Sequence, residues 1–348
     1  MGMIKIPDQS LNYFQEKFPE IIESGNLAEG QWNNAIADLV TSYTSAKHAS
    51  VFNSNGSGLV TALKIFKEHR GKKKVFLQSN TMYGVKTIAY TSGLEISGFV
   101  DSDLDNLLMP TLKDVTDFVN KLDKPDEHVF LLTHIGGWVN PDILEIAKFC
   151  KEQDILLLED CAHSYGSLLD GKHTGLFGDA GVYSFYSTKA VPVGEGGVLV
   201  TNDDELHHHA SKFIIYDRFD QNLNLGVNFR MSEINALFAY SVIKESEQIF
   251  NSKLEIAKKY SAACDENNWS YQDALIDSQR SNLYKFILIA KTDNPEEEFS
   301  QISKRTSPVY DYTLGSDGTS IASKHICLPI WYKLEDEIVS EVVEQLKR

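Results

Sequence analysis

A chain of 348 residues that is 42% hydrophobic and 24% charged has ordinary globular composition and is long enough for a large core and two domains. Its net charge of -16 argues against nucleic acid or an anionic membrane surface as a partner. No apolar run reaches the about 18 residues of a membrane span and residues 1–19 lack a signal peptide's apolar segment, so a soluble cytoplasmic protein is expected.

In chain order, residues 11–24 and 32–45 read as helices. From about residue 50 short apolar runs alternate with amphipathic ones. The expected strands are 49–53, 74–78, 96–100, 129–134, 155–160, 181–185 and 197–201, with helices at 59–69, 115–122 and 143–152. This alternation implies an α/β domain whose mostly parallel sheet is buried on both faces. From Arg230 an amphipathic stretch runs past Lys258, residues 283–292 alternate like a strand, and 333–348 closes the chain as a helix. The expected division is a large domain, 1–245, and a smaller C-terminal α/β domain, 246–348, with the first 25 residues free to pack against the latter.

Ligands of open α/β sheets bind beyond the carboxyl ends of the strands. Asn53-Ser54-Asn55-Gly56, Ser79-Asn80-Thr81, His134 and Asp160 all fall just past expected strands. Ser54-Asn55-Gly56-Ser57-Gly58 leads into a helix. Its glycines free backbone N–H groups for an anion, with the Ser57 hydroxyl beside them, though an ordinary capped turn reads the same way. Thr81-Met82-Tyr83-Gly84 offers a side chain to cover a planar ring, or only one more aromatic.

Asp160 ends the apolar run 155–158 and needs a partner if it is buried. His163 follows three residues on, as a ring contact or as a structural histidine. Lys189 lies in a charge-poor segment, where desolvation would make its amine nucleophilic; a solvated loop lysine is the alternative. A lysine amine and a strand-end carboxylate are what pyridoxal 5'-phosphate (PLP) requires. Lys189 would hold it as a Schiff base and Asp160 would keep its pyridine nitrogen protonated. His207-His208-His209 reads as a solvated run on a helix, Cys150, Cys161, Cys264 and Cys327 read as free core thiols, and no metal site is expected.

The order of these segments resembles the DegT/DnrJ/EryC1/StrS family of PLP-dependent sugar aminotransferases. Ser54-Asn55-Gly56-Ser57 looks like its phosphate turn, Thr133-His134-Ile135-Gly136-Gly137 like its histidine-containing strand end, and Glu159-Asp160-Cys161-Ala162-His163 like its acid-Asp-x-Ala-Gln/His element. The stretch from Phe177 to Lys189, with Gly194-Glu195-Gly196-Gly197, resembles the family's signature. Gly226-Val227-Asn228-Phe229-Arg230-Met231-Ser232-Glu233 and Ile326-Cys327-Leu328-Pro329 resemble two later elements.

The resemblance implies fold type I, the aspartate-aminotransferase-like fold, with a seven-stranded sheet in the large domain. It implies Lys189 as Schiff-base lysine and proton shuttle, Asp160 on the pyridine nitrogen and His163 at the ring. Gly56, Ser57 and Ser184 would hold the phosphate, with Asn228 reaching it from the neighbouring subunit of a homodimer. Met82 or Tyr83 would stack on the ring. L-glutamate is the implied amino donor, and a keto sugar, most plausibly nucleotide-linked, the acceptor. A PLP-dependent sugar dehydratase is the rival within enzymes, but relatives of that kind carry histidine where Lys189 stands; a non-catalytic binding relative is the other. Residues 246–323 and Trp138 depart from the family pattern where substrate is usually recognised.

Overall fold

The computed structural model describes residues 4–216, 225–273, 275–276, 279–315, 321 and 323–347; the last residue of the expected closing helix and the first three of the chain lie outside these. The seven expected strands all form. They are β1 (His48–Phe52), β2 (Lys74–Gln78), β3 (Glu95–Val100), β4 (His128–Thr133), β5 (Leu156–Cys161) and, after the short hairpin of β6 (Leu168–Leu169) and β7 (Lys172–His173), β8 (Ala180–Ser184) and β9 (Gly197–Thr201). They pair in the order β1-β9-β8-β5-β4-β2-β3. β3, β2, β4, β5 and β8 are mutually parallel, whereas β9 is antiparallel to both β8 and β1. The 185–196 connection carries no helix for a crossover, so β9 must return alongside β8 in the opposite sense.

Helices α1 (Asp8–Ser24), α2 (Gln31–Thr44), α3 (Asn55–Arg70), α4 (Tyr83–Ser92), α5 (Leu112–Val119), α6 (Ile143–Glu152), α7 (Asp204–Ile215), α8 (Glu233–Ile243) and α9 (Ser246–Glu266) surround this sheet or lead away from it. The period-two alternation of the strands decides which face each residue serves. Val75, Leu77, Val129, Leu131 and Val182 meet Leu59, Leu63 and Phe66 of α3 with Val85 and Leu206 of α4 and α7. Their neighbours Phe76, Phe130 and Leu132 pack on Val115, Ile143 and Ile146 of α5 and α6. Each such fully buried side chain contributes about 1.5–3 kcal/mol relative to exposure.

Most boundaries shift by a few residues from the sequence expectation, as α5 (Leu112–Val119, expected 115–122) and β13 (Phe286–Ile289, expected 283–292) do, and two of the differences bear on the site. The turn at 55–58 is itself the first turn of α3, because the Ser54 side chain caps the helix by accepting the Ser57 N–H. The stretch from Arg230 resolves into α8 and α9, broken at Lys244–Glu245, where Glu245 leaves helical geometry (φ -99, ψ 15).

α9 links two cores. Its Ile249 and Phe250 join the cluster of Trp32, Ile36 and Tyr183, and its Ile256, Ala257 and Tyr260 join one with Phe286, Leu288, Leu328 and Val342. That second core is covered by β10 (Ser270–Tyr271), which is followed by the hairpin of β11 (Leu275–Ile276) and β12 (Gln279–Arg280), and by β13 (Phe286–Ile289) and β14 (His325–Leu328). β10, β13 and β14 form an antiparallel sheet, while β12 pairs with β6 and so ties the C-terminal region to the large sheet's loops. Lys5 bonds to Glu335 and Lys333 to Asp8, which fastens the N-terminal segment to the C-terminal region, while Phe14 of α1 stacks edge-on against Phe238 of α8. The four cysteines are buried and free, and no helix among the described residues is long and apolar enough to cross a membrane.

Candidate active site

Asp160 is paired in register with Thr133 of β4 and Val182 of β8, which fixes its side chain at the carboxyl rim of the sheet. It is 2% exposed. Its Oδ1 accepts from the Ala162 N–H and from Asn55 Nδ2, each at 3.1 Å, and Asn55 Nδ2 also donates to the Val182 carbonyl at 2.8 Å. Burial pushes the carboxyl's pKa up, against the two donors and the Lys189 charge. Oδ2 accepts no hydrogen bond among the described residues, so one strong acceptor position faces the site.

Lys189 lies in the tight loop between β8 and β9. Ser187 N–H donates to the Gly194 carbonyl at 3.0 Å and Lys189 N–H to the Tyr186 carbonyl at 2.9 Å. Gly194 closes that loop at φ +120, a conformation that L side chains rarely adopt. Burial brings the Lys189 amine down to about 8, opposed by the Asp160 charge and aided by Lys285. Each charge acts on the other, so Lys189 and Asp160 lie near one another.

Ser184, the last residue of β8, pairs with Gly197. A Cβ on Gly197 would stand 2.4 Å from the Ser54 carbonyl oxygen and 2.5 Å from Asn55 N, so β9 packs its backbone directly on the start of α3. This contact sets the end of β8, with Ser184, near the first turn of α3, where the helix N–H groups that the Ser54 cap does not take can receive an anion. Ser57 Oγ donates to Asn53 Oδ1 at 2.5 Å, and the Tyr186 N–H donates to Ser184 Oγ at 3.3 Å.

His163 is 3% exposed. Its Nδ1 accepts the Gly136 N–H at 3.4 Å, which leaves Nε2 to carry the proton toward the Tyr310 hydroxyl at 3.3 Å. Its ring stacks on Tyr284 at 4.3 Å. Burial, then the Lys189 and Lys285 charges, hold its pKa far below the ordinary histidine value, so the imidazole is neutral. Tyr83 and Met82 lie further out and exposed. The Tyr83 ring stacks on Tyr312 at 3.9 Å, and Tyr312 approaches Tyr310 at 5.4 Å, so an aromatic series runs from Tyr83 inward to His163. Asn228 is exposed, its Oδ1 accepting the Arg230 N–H at 3.4 Å, and it joins none of the groups above.

Next to this rim His134, Glu159 and Cys161 come within metal-binding distance of one another. His134 Nδ1 accepts the Asn140 N–H and its Nε2 donates to Glu159, which also accepts the Gly175 and Gly178 N–H groups. These atoms already satisfy one another as a structural network. Of the surface histidines on α7, His207 stacks on His48 and His209 on His69.

The sequence reading missed Asn55 as a side chain, and with it Tyr284, Lys285, Tyr310 and Lys253. Asn55 stands inside a motif read for its backbone. Lys253 left a clearer sign, since it follows Ile249 and Phe250 and precedes Ile256, Ala257 and Tyr260 on the apolar face of α9.

A lysine and an aspartate on the carboxyl rim of a mixed seven-stranded α/β sheet, beside an anion cradle, define a PLP-dependent transferase of fold type I. The chain belongs to the DegT/DnrJ/EryC1/StrS aminotransferase family, matched over residues 9–347. It is 26% identical to the UDP-4-amino-4,6-dideoxy-N-acetyl-beta-L-altrosamine transaminase of Helicobacter pylori over 78% of this chain and 73% of that protein. It is 24% identical to the GDP-perosamine synthase of Vibrio cholerae over 99% and 98%. The solved structure of Helicobacter pylori PseC, an aminotransferase of pseudaminic acid biosynthesis, superimposes with a TM-score of 0.84 at 20% identity, covering 99% of this chain and 96% of that one. A sugar aminotransferase from Micromonospora echinospora, CalS13, does so with a TM-score of 0.83 at 20% identity, covering 99% and 98%.

Proposed function

We propose that this protein transfers an amino group from L-glutamate to a keto sugar, one carried on a nucleotide and bearing a deoxy carbon, with PLP bound through Lys189. The observation that carries the reading is the neighbouring pair of Lys189, its amine lowered to about 8, and buried Asp160, whose Oδ2 accepts no hydrogen bond among the described residues and could take a pyridinium N–H. PLP, when bound, supplies the electron sink that makes a Cα–H bond acidic.

The remaining work belongs to the chain. Asp160 keeps its charge where a ring N–H can compensate its burial, and Asn55 and Ala162 hold its orientation. The first turn of α3 with Ser57 and Ser184 takes the phosphate. Neutral His163, fixed by Gly136 and Tyr284, packs at the ring without adding a competing positive charge. Lys189, neutral above about pH 8, removes the proton from the donor's Cα and returns one to the sugar's former carbonyl carbon in the second half-reaction. Exposed Asn228 completes the cradle of a second copy, so the working unit is a homodimer, in the cytoplasm. Met82 or Tyr83 covers the outer face of the ring.

The test is spectroscopic. Protein supplied with PLP is expected to be yellow, to lose that colour with L-glutamate while 2-oxoglutarate forms, and to yield a Lys189 peptide carrying the cofactor after borohydride reduction. A protein that stays colourless with PLP, or one whose label falls on another lysine, overturns the reading.

A further inference from the structure

Lys189 opens onto a cavity of about 550 Å³ whose charged lining, among the described residues, is Lys5, Lys189, Lys253, Lys285 and Arg305, with no aspartate or glutamate. That is unusual in a chain of net charge -16. Two of the cations are already engaged. Lys5 is paired with Glu335 at 2.7 Å, and the Arg305 guanidinium donates to the Ile302 and Phe299 carbonyls. Among the described residues Lys285 donates only to the Ser307 carbonyl, at 2.8 Å, and to its hydroxyl, at 3.3 Å. Lys253 is 3% exposed and has no hydrogen-bond or ion-pair partner among the described residues. A buried ammonium without an anion is unfavourable, so a side chain in this state points to a charge that arrives with a ligand. Burial, then Lys285, brings the Lys253 amine down to about 7, and an arriving anion would restore its proton.

We propose that Lys253 and Lys285 receive the carboxylates of the amino donor, a dicarboxylic amino acid; the inference rests on the aminotransferase reading above and names a recognition subsite within it. The two functions are neighbours. The Lys189 and Lys285 amines lie 5.2 and 5.5 Å from the centre of the one Tyr284 ring. A donor's α-carboxylate is attached to the carbon that bears the reacting amine, so a cation site adjoining Lys189 is where it must fall. A nucleotide sugar's diphosphate is held away from the keto carbon by the sugar ring. Ile330, Leu328 and Trp331 give the same cavity an apolar wall for the donor's methylene carbons, and Thr188 and Ser307 add hydroxyl groups.

The experiment compares the PLP-loaded wild type with Lys253→Met, Lys285→Met and Lys253→Arg. Glutarate binding is measured by calorimetry, UDP and GDP binding likewise, and the loss of colour is followed against L-glutamate concentration. Each methionine variant is expected to weaken glutarate and raise the half-saturating glutamate concentration by about tenfold or more, the loss of one charge-assisted hydrogen bond. UDP and GDP affinities and the starting absorbance spectrum stay unchanged, and Lys253→Arg recovers most of the loss. Glutarate binding that is absent from the wild type, or equal in all four proteins, overturns the proposal. So does a loss that falls on UDP and GDP, which would make this the acceptor's diphosphate site. Lys253-dependent glutarate binding in a protein that glutamate does not bleach would sink the aminotransferase reading and leave the subsite standing. Should Lys253→Met fail to fold, Lys285→Met carries the comparison alone.

Discussion

The rim of Asp160, Ser184 and the start of α3 is assembled by strands that fix one another through backbone registers, whereas the wall opposite it borrows Lys253 from α9, Tyr284 and Lys285 from the edge of β13 and Tyr310 from a later loop. On the rim a side chain's position follows from pairing. On the wall it follows from packing between segments far apart in sequence, and stacking does the positioning: Tyr284 carries His163 on its ring and lies beneath the Lys189 and Lys285 amines. On the proposals above, the rim would serve chemistry common to all substrates of such a cofactor, and the wall would receive the amino donor.

Perturbing each region in turn should separate these duties. Lys189→Ala is expected to have the largest effect, lowering transamination by at least about 10³-fold and abolishing borohydride-stable attachment; mass spectrometry and glutamate-dependent bleaching check both. Asp160→Asn should weaken PLP binding by about 10–100-fold, measured by equilibrium dialysis, as a charge-assisted hydrogen bond becomes a neutral one.

The same substitution has an opposite consequence for the protein without cofactor. Asp160 has a higher pKa folded than the 3.8 of the unfolded reference, so its folded form retains a proton that the unfolded chain gives up. Wild-type apoprotein should therefore lose stability relative to Asp160→Asn as pH rises from about 3.8 through the Asp160 range, a difference readable in urea titrations.

A wall substitution should be felt on the rim by a smaller amount. PLP attachment to the apoprotein should accelerate with pH and level off above about 8, where the Lys189 amine is neutral. Lys285→Met removes a cation that lowers that pKa, so its profile should move to higher pH; an unmoved midpoint would mean that the two regions act independently. The smallest effect is expected from Tyr310→Phe, which removes the hydroxyl facing His163 Nε2 and should change glutamate half-saturation by less than about tenfold.

This contrast also explains what could be read from sequence. β2, β4, β5 and β8 are largely apolar runs, so both their existence and the place of Asp160 at a strand end follow from local pattern, whereas Ser184, read as the interior of a strand, entered only through the family resemblance. Lys189 stands in a charge-poor loop between β8 and β9, but local pattern left a solvated loop lysine equally open, and only the family resemblance singled it out. The reversed direction of β9 was less legible, since it depends on how a helix-free loop turns. Asn55 as a bridge to Asp160 and Val182 needs β5 and β8 already side by side, which no local pattern states. Tyr310 reaches His163 across 147 positions of sequence, beyond any periodicity. Lys253 is the exception among the missed residues, a charge on the buried stripe of an amphipathic helix.

The seating of Gly197 on Ser54 and Asn55 has a consequence for the order of assembly. The anion cradle at the start of α3 belongs to the first quarter of the chain, yet it is backed by a strand that emerges only after residue 196. During synthesis the helix can form early, but its ligand-binding end stays unsupported until β9 slots between β1 and β8. If PLP binds as proposed, its retention would be a late milestone in maturation, and a nascent chain arrested before β9 should not hold it, however complete the preceding strands are.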